Sequence, residues 1–307
     1  MNSNNHVIII IGPTASGKTD LGFYLAQRLN AEIINADSRQ VYRHMDIGTA
    51  KPSITMQKTI PHYEIDIIEP NEDYNLAIFL KNCKKAITKI QKKSKIPIVV
   101  GGTGQYISAL LEGWIVPKVP PDINFRLSLE KELESNDVST LYKKLVDVAP
   151  MAAKRINPAN SRRIIRALEI FHHNPELIKN GPQKKTPSFP SIVIGIDSTK
   201  EFLLPRISYR IDQMLKDGLI NEVQQLLNMG FEENLPSMSG IGYKEVINYI
   251  NQHHSYETMI EIMIKRTRDL VKRQKTWFNT LESVNWIPIT NEDLSSVALN
   301  LIKRGVS

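Results

Sequence analysis

The sequence predicts an α/β protein in which a parallel sheet is flanked by helices and interrupted by a small all-helical domain. Short apolar runs alternate with amphipathic helical patterns, and a glycine-rich loop joins the first run to the first helix. Two proline-rich joints also enclose a segment of helical patterns alone. A chain of 307 residues is long enough for one large or two modest domains.

The elements of the core alternate in the order typical of a parallel sheet wrapped by helices. The predicted strands are residues 7–11, 32–35, 96–100, 191–196 and 284–289. The predicted helices are residues 17–29, 75–91 and 104–112, followed by a mostly helical region from 201 to 280.

The helical insertion is predicted from two breaker-rich segments, residues 117–121 and 180–190. Proline and glycine interrupt regular structure, so these segments are candidate domain joints. The helices predicted between them are residues 122–135, 138–146 and 160–173, with no strand. We therefore predict a core of residues 1–119 and 189–307 and a helical domain of residues 120–188.

Residues 12–19 read GPTASGKT and join the first predicted strand to the first helix. Gly12 and Gly17 let backbone N–H groups converge on phosphate oxygens at the positive end of the helix. Lys18 can reach the terminal phosphates, and the Thr19 hydroxyl can hold Mg²⁺. The motif predicts a P-loop NTPase-like diphosphate site formed by Gly12, Pro13, Thr14, Ala15, Ser16, Gly17, Lys18 and Thr19.

Two further motifs follow predicted strands, at the edge of a parallel sheet where ligands bind. Asp37 follows the second strand, with Ser38 and Gln40 beside it offering groups suited to the edge of a base. Residues 101–103, Gly-Gly-Thr, follow the strand 96–100 and permit close backbone approach. The alternatives are a capping or Mg²⁺-holding role for Asp37 and a tight turn without ligand at the glycines.

Basic residues cluster on two predicted helices. The helix 256–278 is expected to bury Tyr256, Met259, Ile260, Met263, Ile264, Thr267, Leu270 and Val271. It is expected to expose Lys265, Arg266, Arg268, Lys272, Arg273 and Lys275, and it ends in stacking surfaces at Trp277 and Phe278. The insertion adds Arg162, Arg163 and Arg166. These clusters can follow nucleic-acid phosphates, although a solvated helix face has the same pattern.

Composition excludes several classes of protein. Cys83 is the single cysteine, so no internal disulfide can form, and its place on an apolar stripe predicts a packing role. No apolar stretch approaches the length of a membrane span, and no Cys/His cluster has zinc spacing. We expect a cytoplasmic protein without a membrane partner. A net charge of +7 is compatible with a polyanionic partner without requiring one.

Taken together, these strings resemble the tRNA dimethylallyltransferases over nearly the whole chain. The combination of DSRQVY, MDIGTAKP and GGTGQY is specific, because ordinary phosphate-loop kinases do not carry it. The matching strings are GPTASGKT (12–19), DSRQVY (37–42), MDIGTAKP (45–52), GGTGQYISALLEG (101–113), RALEI (166–170), GIGYKE (240–245) and KRQKTWF (272–278).

The resemblance implies transfer of a dimethylallyl group from dimethylallyl diphosphate to the exocyclic amine of the adenosine 3′ of the tRNA anticodon. Mg²⁺ at Thr19 and the Lys18 ammonium would neutralise the departing diphosphate, and Asp37 would be the general base. Thr14 and Thr103 would line the reaction channel. Arg206 and Arg210, one turn apart, are further candidate diphosphate ligands or else surface arginines.

The partners implied are dimethylallyl diphosphate and the anticodon stem-loop of tRNA, bound by a monomer. The implied tRNA contacts are Asp37, Ser38, Arg39, Gln40, Thr103, Arg126, Arg162, Arg163, Ile164, Ile165, Arg166, Gly242, Tyr243, Lys244, Arg273 and Trp277. One alternative is a small-molecule kinase that binds ATP on the same loop, although no adenine-site string is present. Another is a non-catalytic RNA-binding protein, which would leave Asp37 and Thr103 without a role.

Overall fold

The computed structural model describes residues 6–117, 119–179, 183–187, 189–289 and 293–306. The chain forms two compact units, one of Met1–Leu111 with Pro187–Ser307 and one of Glu112–Thr186. The second unit begins before the predicted boundary at residue 120, because Trp114–Ile115 pairs with Gln183–Lys184 in an antiparallel ribbon. The prediction of a strand-free insertion is wrong at this ribbon.

The first unit is built on a six-stranded parallel sheet. The strands of the chain are β1 (Val7–Ile11), β2 (Ala31–Asn35), β3 (His62–Tyr63), β4 (Ile96–Val100), β5 (Trp114–Ile115), β6 (Gln183–Lys184), β7 (Ser191–Asp197) and β8 (Val284–Pro288). The sheet has the order β3-β2-β4-β1-β7-β8, and every neighbouring pair in it is parallel. Residues of β1 and β2 are all buried, as expected for strands covered on both faces.

The helices lie close to the predicted positions. They are α1 (Lys18–Arg28), α2 (Ile54–Thr59), α3 (Leu76–Lys92), α4 (Gly104–Leu111), α5 (Ile123–Ser135), α6 (Val138–Val148), α7 (Pro150–Ala153), α8 (Ser161–His173), α9 (Glu176–Lys179), α10 (Lys200–Lys216), α11 (Leu219–Asn228), α12 (Tyr243–Ile250), α13 (Tyr256–Phe278) and α14 (Leu294–Val306). The predicted α/β fold is confirmed, while β3, β5, β6, α2, α7, α9 and α14 were not predicted from the sequence. α13 begins at a Ser255 cap, whose hydroxyl accepts a hydrogen bond from the Thr258 amide.

The apolar core of the first unit surrounds the sheet. Ile8 and Ile10 of β1 pack with Leu25 of α1 and Ile302 of α14. Phe79 of α3 stacks on Tyr106 of α4, with ring centroids 4.2 Å apart. Cys83 is fully buried in α3, and this burial raises the pKa of its thiol. Its predicted packing role is confirmed.

A buried carboxylate joins the segment after β2 to the C-terminal helices. Glu222 of α11 accepts hydrogen bonds from the backbone N–H groups of Asp46, Ile47 and Gly48, at 2.8, 2.7 and 3.1 Å. The Tyr243 hydroxyl donates to the same carboxylate at 2.7 Å. A Cβ at Gly48 would lie 2.5 Å from the Tyr243 ring, so this position has no room for a side chain. The strings MDIGTAKP and GIGYKE therefore meet in one structural network.

Tyr243 was predicted to contact tRNA, and the structure does not support that prediction. Its side chain is 1 % exposed, and burial, followed by the nearby Glu222 carboxylate, raises the pKa of its hydroxyl. Gly242 is buried as well, with φ +99° at the start of α12. Lys244 is exposed and remains available to a partner.

The second unit is a small helical cluster around Leu141, Leu145 and Leu168. Ile164 and Ile165 also belong to this core, with side chains 0 % and 6 % exposed. Their predicted contact with tRNA is therefore wrong for the side chains, because the core covers them. Arg162 and Arg163, on the other side of α8, are exposed as predicted.

Arg126 and Arg166 share one buried partner within the second unit. Arg126 donates to both oxygens of Glu169 at 2.7 and 2.9 Å, and Arg166 bonds the same carboxylate and the Val119 carbonyl. Burial alone would raise the pKa of Glu169, but the hydrogen bonds from Arg126 and then Arg166 lower it to about 2. The sequence predicted that these two arginines contact tRNA. In the structure they stabilise this unit through their bonds to Glu169.

Within the described ranges, no helix combines the length and the apolar character needed to cross a membrane.

Replacing Tyr243 by phenylalanine tests the Glu222 network. We expect Tyr243→Phe to lower the free energy of unfolding by about 2 kcal/mol, because a buried carboxylate loses a hydrogen-bond donor. Urea denaturation measures the change. The matched control is Tyr209→Phe, at a tyrosine that is 66 % exposed, for which we expect a change below about 0.5 kcal/mol. Equal effects of the two substitutions would contradict a stabilising role of the network.

Candidate active site

The phosphate loop lies between β1 and α1 and contains an unpaired buried hydroxyl. Ser16 is 3 % exposed, and its Oγ has no hydrogen-bond partner among the described residues. Gly17 has φ +90°, a conformation that L side chains rarely adopt, and directly precedes α1. A buried hydroxyl without a partner is unfavourable in the free protein and suits a ligand oxygen. The local structure therefore fits the predicted diphosphate site.

Lys18 lies in the cavity that this loop borders. Its Nζ donates to the Pro13 carbonyl at 2.7 Å. Burial, with a smaller contribution from the Arg210 guanidinium, lowers the pKa of Lys18 to about 7, while the Asp37 carboxylate acts in the opposite direction. The site therefore holds more positive than negative charge, and a bound anion would restore the charged form of Lys18.

Helix α10 adds two arginines to the phosphate loop. Arg206 Nε donates to the Ala15 carbonyl at 2.9 Å. Arg210 lines the cavity without a hydrogen bond or salt bridge to any described residue, and burial lowers its pKa. Arg206 is exposed, as the alternative of a surface arginine expected, but both arginines reach the phosphate loop or its cavity.

Asp37 lies at the carboxyl end of β2, in a backbone that is held on two sides. Its Oδ1 accepts a hydrogen bond from the Arg39 amide at 2.8 Å, which closes a turn on the carboxylate. The Asn35 side chain donates to the carbonyls of Asp37 and Glu64 at 3.3 and 3.0 Å. Asp37 therefore has a defined position on the cavity wall.

The Gly-Gly-Thr loop after β4 packs directly against the segment that carries Asp37. Thr103 Oγ1 accepts a hydrogen bond from the Ser38 amide at 3.1 Å, and the Thr103 amide donates to the Ala36 carbonyl at 3.3 Å. A Cβ at Gly101 would lie 2.2 Å from the Ala36 oxygen, which only glycine avoids. Thr103 is therefore next to the segment that carries Asp37, as predicted.

These loops border one cavity of about 640 Å³. Its charged residues include Lys18, Asp37, Arg206 and Arg210. The lining also includes the apolar side chains of Ile33, Met56, Ile65 and Val100, as well as His62. The volume is within the range of small-molecule sites, and the lining combines cationic and apolar side chains.

Two residues next to Asp37 form bonds within the protein, although a tRNA contact was predicted for both. The Arg39 guanidinium donates to the carbonyls of Pro236 and Ser237 and to the Ser239 hydroxyl. The Gln40 amide donates to the carbonyls of residues 49 and 50, at 3.1 and 3.0 Å. Both side chains therefore hold neighbouring loops in place.

Helix α13 differs in detail from the predicted pattern. Tyr256 is 40 % exposed rather than buried, and Arg266 bonds Glu245 and the Ser239 carbonyl rather than facing solvent. Trp277 donates to Ser108 Oγ at 2.8 Å and packs on α4 at Gly104. Arg273 is exposed, as predicted.

Gln274, which bonds both glycine loops, was not predicted from the sequence. Its Oε1 accepts from the Thr14 amide at 2.8 Å, and its Nε2 donates to the Gly102 carbonyl at 3.0 Å. The available signal was a polar residue three positions after Val271 on the apolar face of α13, where only a paired polar group is expected to be buried.

Comparisons with known proteins agree with this arrangement. The IPP transferase family profile matches residues 40–281, and an isopentenyl transferase profile matches residues 5–63. A tRNA dimethylallyltransferase of Pelotomaculum thermopropionicum is 40 % identical over 305 residues, covering 98 % of this chain and 97 % of the relative. The tRNA dimethylallyltransferase of Alkaliphilus metalliredigens is 41 % identical, covering 97 % and 96 %.

Solved structures show the same similarity. The tRNA isopentenylpyrophosphate transferase of Bacillus halodurans has a TM-score of 0.74 and 35 % identity, covering 98 % of this chain and 97 % of its own. A eukaryotic dimethylallyltransferase acting on tRNA has a TM-score of 0.80 and 31 % identity, covering 98 % and 78 %. The chain therefore has a P-loop NTPase-like fold and belongs to the IPP transferase family, that of the tRNA dimethylallyltransferases.

Proposed function

We propose that the enzyme transfers the dimethylallyl group of dimethylallyl diphosphate to the exocyclic amine of the adenosine 3′-adjacent to the tRNA anticodon. The products are N6-isopentenyladenosine and diphosphate. The observation that carries this proposal is a single cavity in which Lys18 and Arg210 lie with the Asp37 carboxylate. The two cations suit an anionic leaving group, and the carboxylate suits removal of a proton.

The cations of the cavity would stabilise the leaving group. Breaking the bond between the allylic carbon and the diphosphate oxygen leaves negative charge on that oxygen, which Lys18, Arg206 and Arg210 in the cavity lining would stabilise. The loop's backbone N–H groups and the unpaired Ser16 hydroxyl offer donors to the phosphate oxygens.

A Mg²⁺ ion is proposed as cofactor, held by the Thr19 hydroxyl together with diphosphate oxygens. Thr19 lines the cavity, and no cluster of three His, Cys, Asp or Glu side chains suited to a metal occurs among the described residues. A site of one hydroxyl plus phosphate oxygens is the kind that Mg²⁺ accepts in phosphate-loop proteins. When bound, the ion would neutralise part of the diphosphate charge.

The apolar residues of the cavity lining suit the hydrocarbon part of the donor. Ile33, Ile65 and Val100 carry no nucleophilic atom, and a developing allylic cation beside them would meet less water than in solution.

Asp37 is proposed as the general base. As the adenine nitrogen forms its bond to the allylic carbon, the amine loses a proton, and the carboxylate accepts it and passes it to solvent. The fixed turn at Arg39 and the contact between Thr103 and Ser38 keep this carboxylate at the cavity wall. A base held in a fixed position needs no reorientation before it accepts the proton, which favours the chemical step.

We propose that exposed basic side chains hold the anticodon stem-loop while the target adenosine turns out of its stack. The exposed candidates are Arg162, Arg163, Lys244, Lys265, Arg268, Lys272 and Arg273. Because the acceptor is tRNA, we place the enzyme in the cytoplasm. A small-molecule kinase is not favoured, because relatives over the full chain are transferases acting on tRNA.

Incubation with Mg²⁺, dimethylallyl diphosphate and an unmodified tRNA tests the proposed function. We expect nucleoside mass analysis to detect prenylated adenosine, and a matched tRNA with guanosine at that position to remain unmodified. ATP consumption without any prenylated product would contradict the proposal and favour a kinase.

Replacing Asp37 by asparagine tests the general base. Asparagine retains the oxygen that closes the turn with Arg39 but accepts no proton, so we expect kcat to fall by about 10² to 10⁴ while both substrates still bind. Asp212→Asn, at an exposed residue of α10, is the matched control and is expected to be fully active. Activity of Asp37→Asn within about threefold of the wild type would exclude the proposed role, since loss of a general base has a larger effect.

The lowered pKa of Lys18 predicts proton uptake on binding of diphosphate. With a pKa near 7, Lys18 is mostly neutral at pH 8, and a bound anion raises the pKa so that a proton is taken up. Calorimetry in buffers of different ionisation enthalpy measures the number of protons. Lys18→Arg stays charged throughout, so we expect the wild type to take up nearly one proton more than this variant. Equal proton numbers would show that Lys18 is already charged in the free enzyme.

A further inference from the structure

We propose that Gln274 is a positioning residue. It fixes the distance between the loop proposed to bind the diphosphate and the loops that carry Thr103 and the proposed base, Asp37. This role rests on the proposed function, because it concerns the geometry between leaving group and base. Gln274 belongs to α13, which is distant in sequence from both loops and bonds each of them.

The side-chain amide of Gln274 is used at both ends. Its oxygen accepts from the backbone N–H of Thr14 at 2.8 Å, and its nitrogen donates to the carbonyl of Gly102 at 3.0 Å. The residue is 9 % exposed, so water offers little compensation if either bond is lost. One planar group therefore links two loops that come from different strands.

The surroundings leave space for this amide and little else. A Cβ at Gly102 would lie 2.5 Å from Gln274 Nε2 and 3.9 Å from Lys18 Cε. Glycine at position 102 thus permits the amide to reach the loop beside the Lys18 side chain. Glutamate would keep an acceptor but lose the donor, and methionine would lose both.

The two bonds connect the loop proposed to hold the leaving group with the loop that contacts the segment of the proposed base. Thr14 belongs to the loop proposed to hold the diphosphate. Gly102 directly precedes Thr103, whose hydroxyl holds the Ser38 amide next to Asp37. A displacement of either loop would change the distance from the leaving group to the base, and a shift of about 1 Å can lower a rate by about 10²-fold.

The end of the helix that follows Gln274 is itself anchored by two hydrogen bonds. Lys275 donates to the Ser198 carbonyl at 2.8 Å, and Trp277 donates to the Ser108 hydroxyl at 2.8 Å. The amide is therefore held by a fixed helix end rather than by a loop. This placement distinguishes it from the neighbouring Arg273, which is exposed and available to a polyanion.

Steady-state kinetics of Gln274→Met and Gln274→Glu test this role. We expect Gln274→Met to lower kcat by about 10²-fold while the KM values for tRNA and dimethylallyl diphosphate stay within about threefold of the wild type, since positioning acts on the chemical step. Gln224→Met, at an exposed glutamine of α11, is the matched control and is expected to be unchanged. Thermal denaturation of each variant reports the folded fraction, by which kcat is normalised.

Gln274→Glu supplies an independent readout, because protonated glutamic acid again offers both a donor and an acceptor. We expect the kcat of this variant, relative to the wild type, to rise as the pH falls from 8 to 6. This profile also decides the question if Gln274→Met does not fold.

Three results would overturn the inference. An unchanged kcat with a raised KM for tRNA would make Gln274 a tRNA contact. A loss of activity that disappears after correction for folded protein, with a flat relative pH profile, would make it a structural residue. A wild-type enzyme that forms no prenylated adenosine would overturn the proposed function itself, and this role with it.

Discussion

The close approach of two backbone segments, Ala36 after β2 and Gly101 after β4, is the constraint on which the rest of the site depends. The amide of Ala36 donates to the Val100 carbonyl at 2.8 Å, and the Ala36 carbonyl accepts from Thr103 at 3.3 Å. Only glycine fits beside Ala36, because a Cβ would lie 2.2 Å from its oxygen. Since neighbouring parallel strands end at the same edge, these bonds bring Asp37 and Thr103 to the phosphate loop.

A second property of the site is its unbalanced positive charge. Lys18, Lys51, Arg206 and Arg210 line one cavity together with two acids, Asp20 and Asp37. Burial lowers the pKa of Lys18 and of Arg210. Collecting cations in this way is unfavourable in the free protein and becomes favourable when an anion binds. In the proposed reaction, the charge that binds the diphosphate would also stabilise it as it leaves, which would couple binding to the chemical step.

Much of the fold and of the arrangement of the candidate site could be predicted from local patterns. The apolar run at Val7–Ile11 and the following GPTASGKT string are contiguous, so strand, loop and helix followed from residues that are neighbours in sequence. The predicted convergence of Asp37 and Thr103 needed only the rule that parallel strands end at one edge.

What could not be predicted depends on partners that are distant in sequence. Arg126 and Arg166 resemble RNA-binding residues until Glu169 is known to lie buried between them. The role of Tyr243 likewise depends on its bond to Glu222, and the role of Gln274 depends on its bonds to the two glycine loops. Local periodicity does not reveal either set of partners. The same spacing along the sequence can place a polar side chain in solvent or against a buried partner. Tertiary packing decides which of the two it contacts.

The most direct test of this account is a crystal structure of the enzyme with Mg²⁺ and a dimethylallyl thiolodiphosphate that reacts slowly. We expect the diphosphate to lie on residues 12–19, within hydrogen-bond distance of Lys18 and Arg210, with the allylic carbon facing Asp37. A diphosphate bound elsewhere while this loop stays empty, or an allylic carbon facing away from Asp37, would contradict the account.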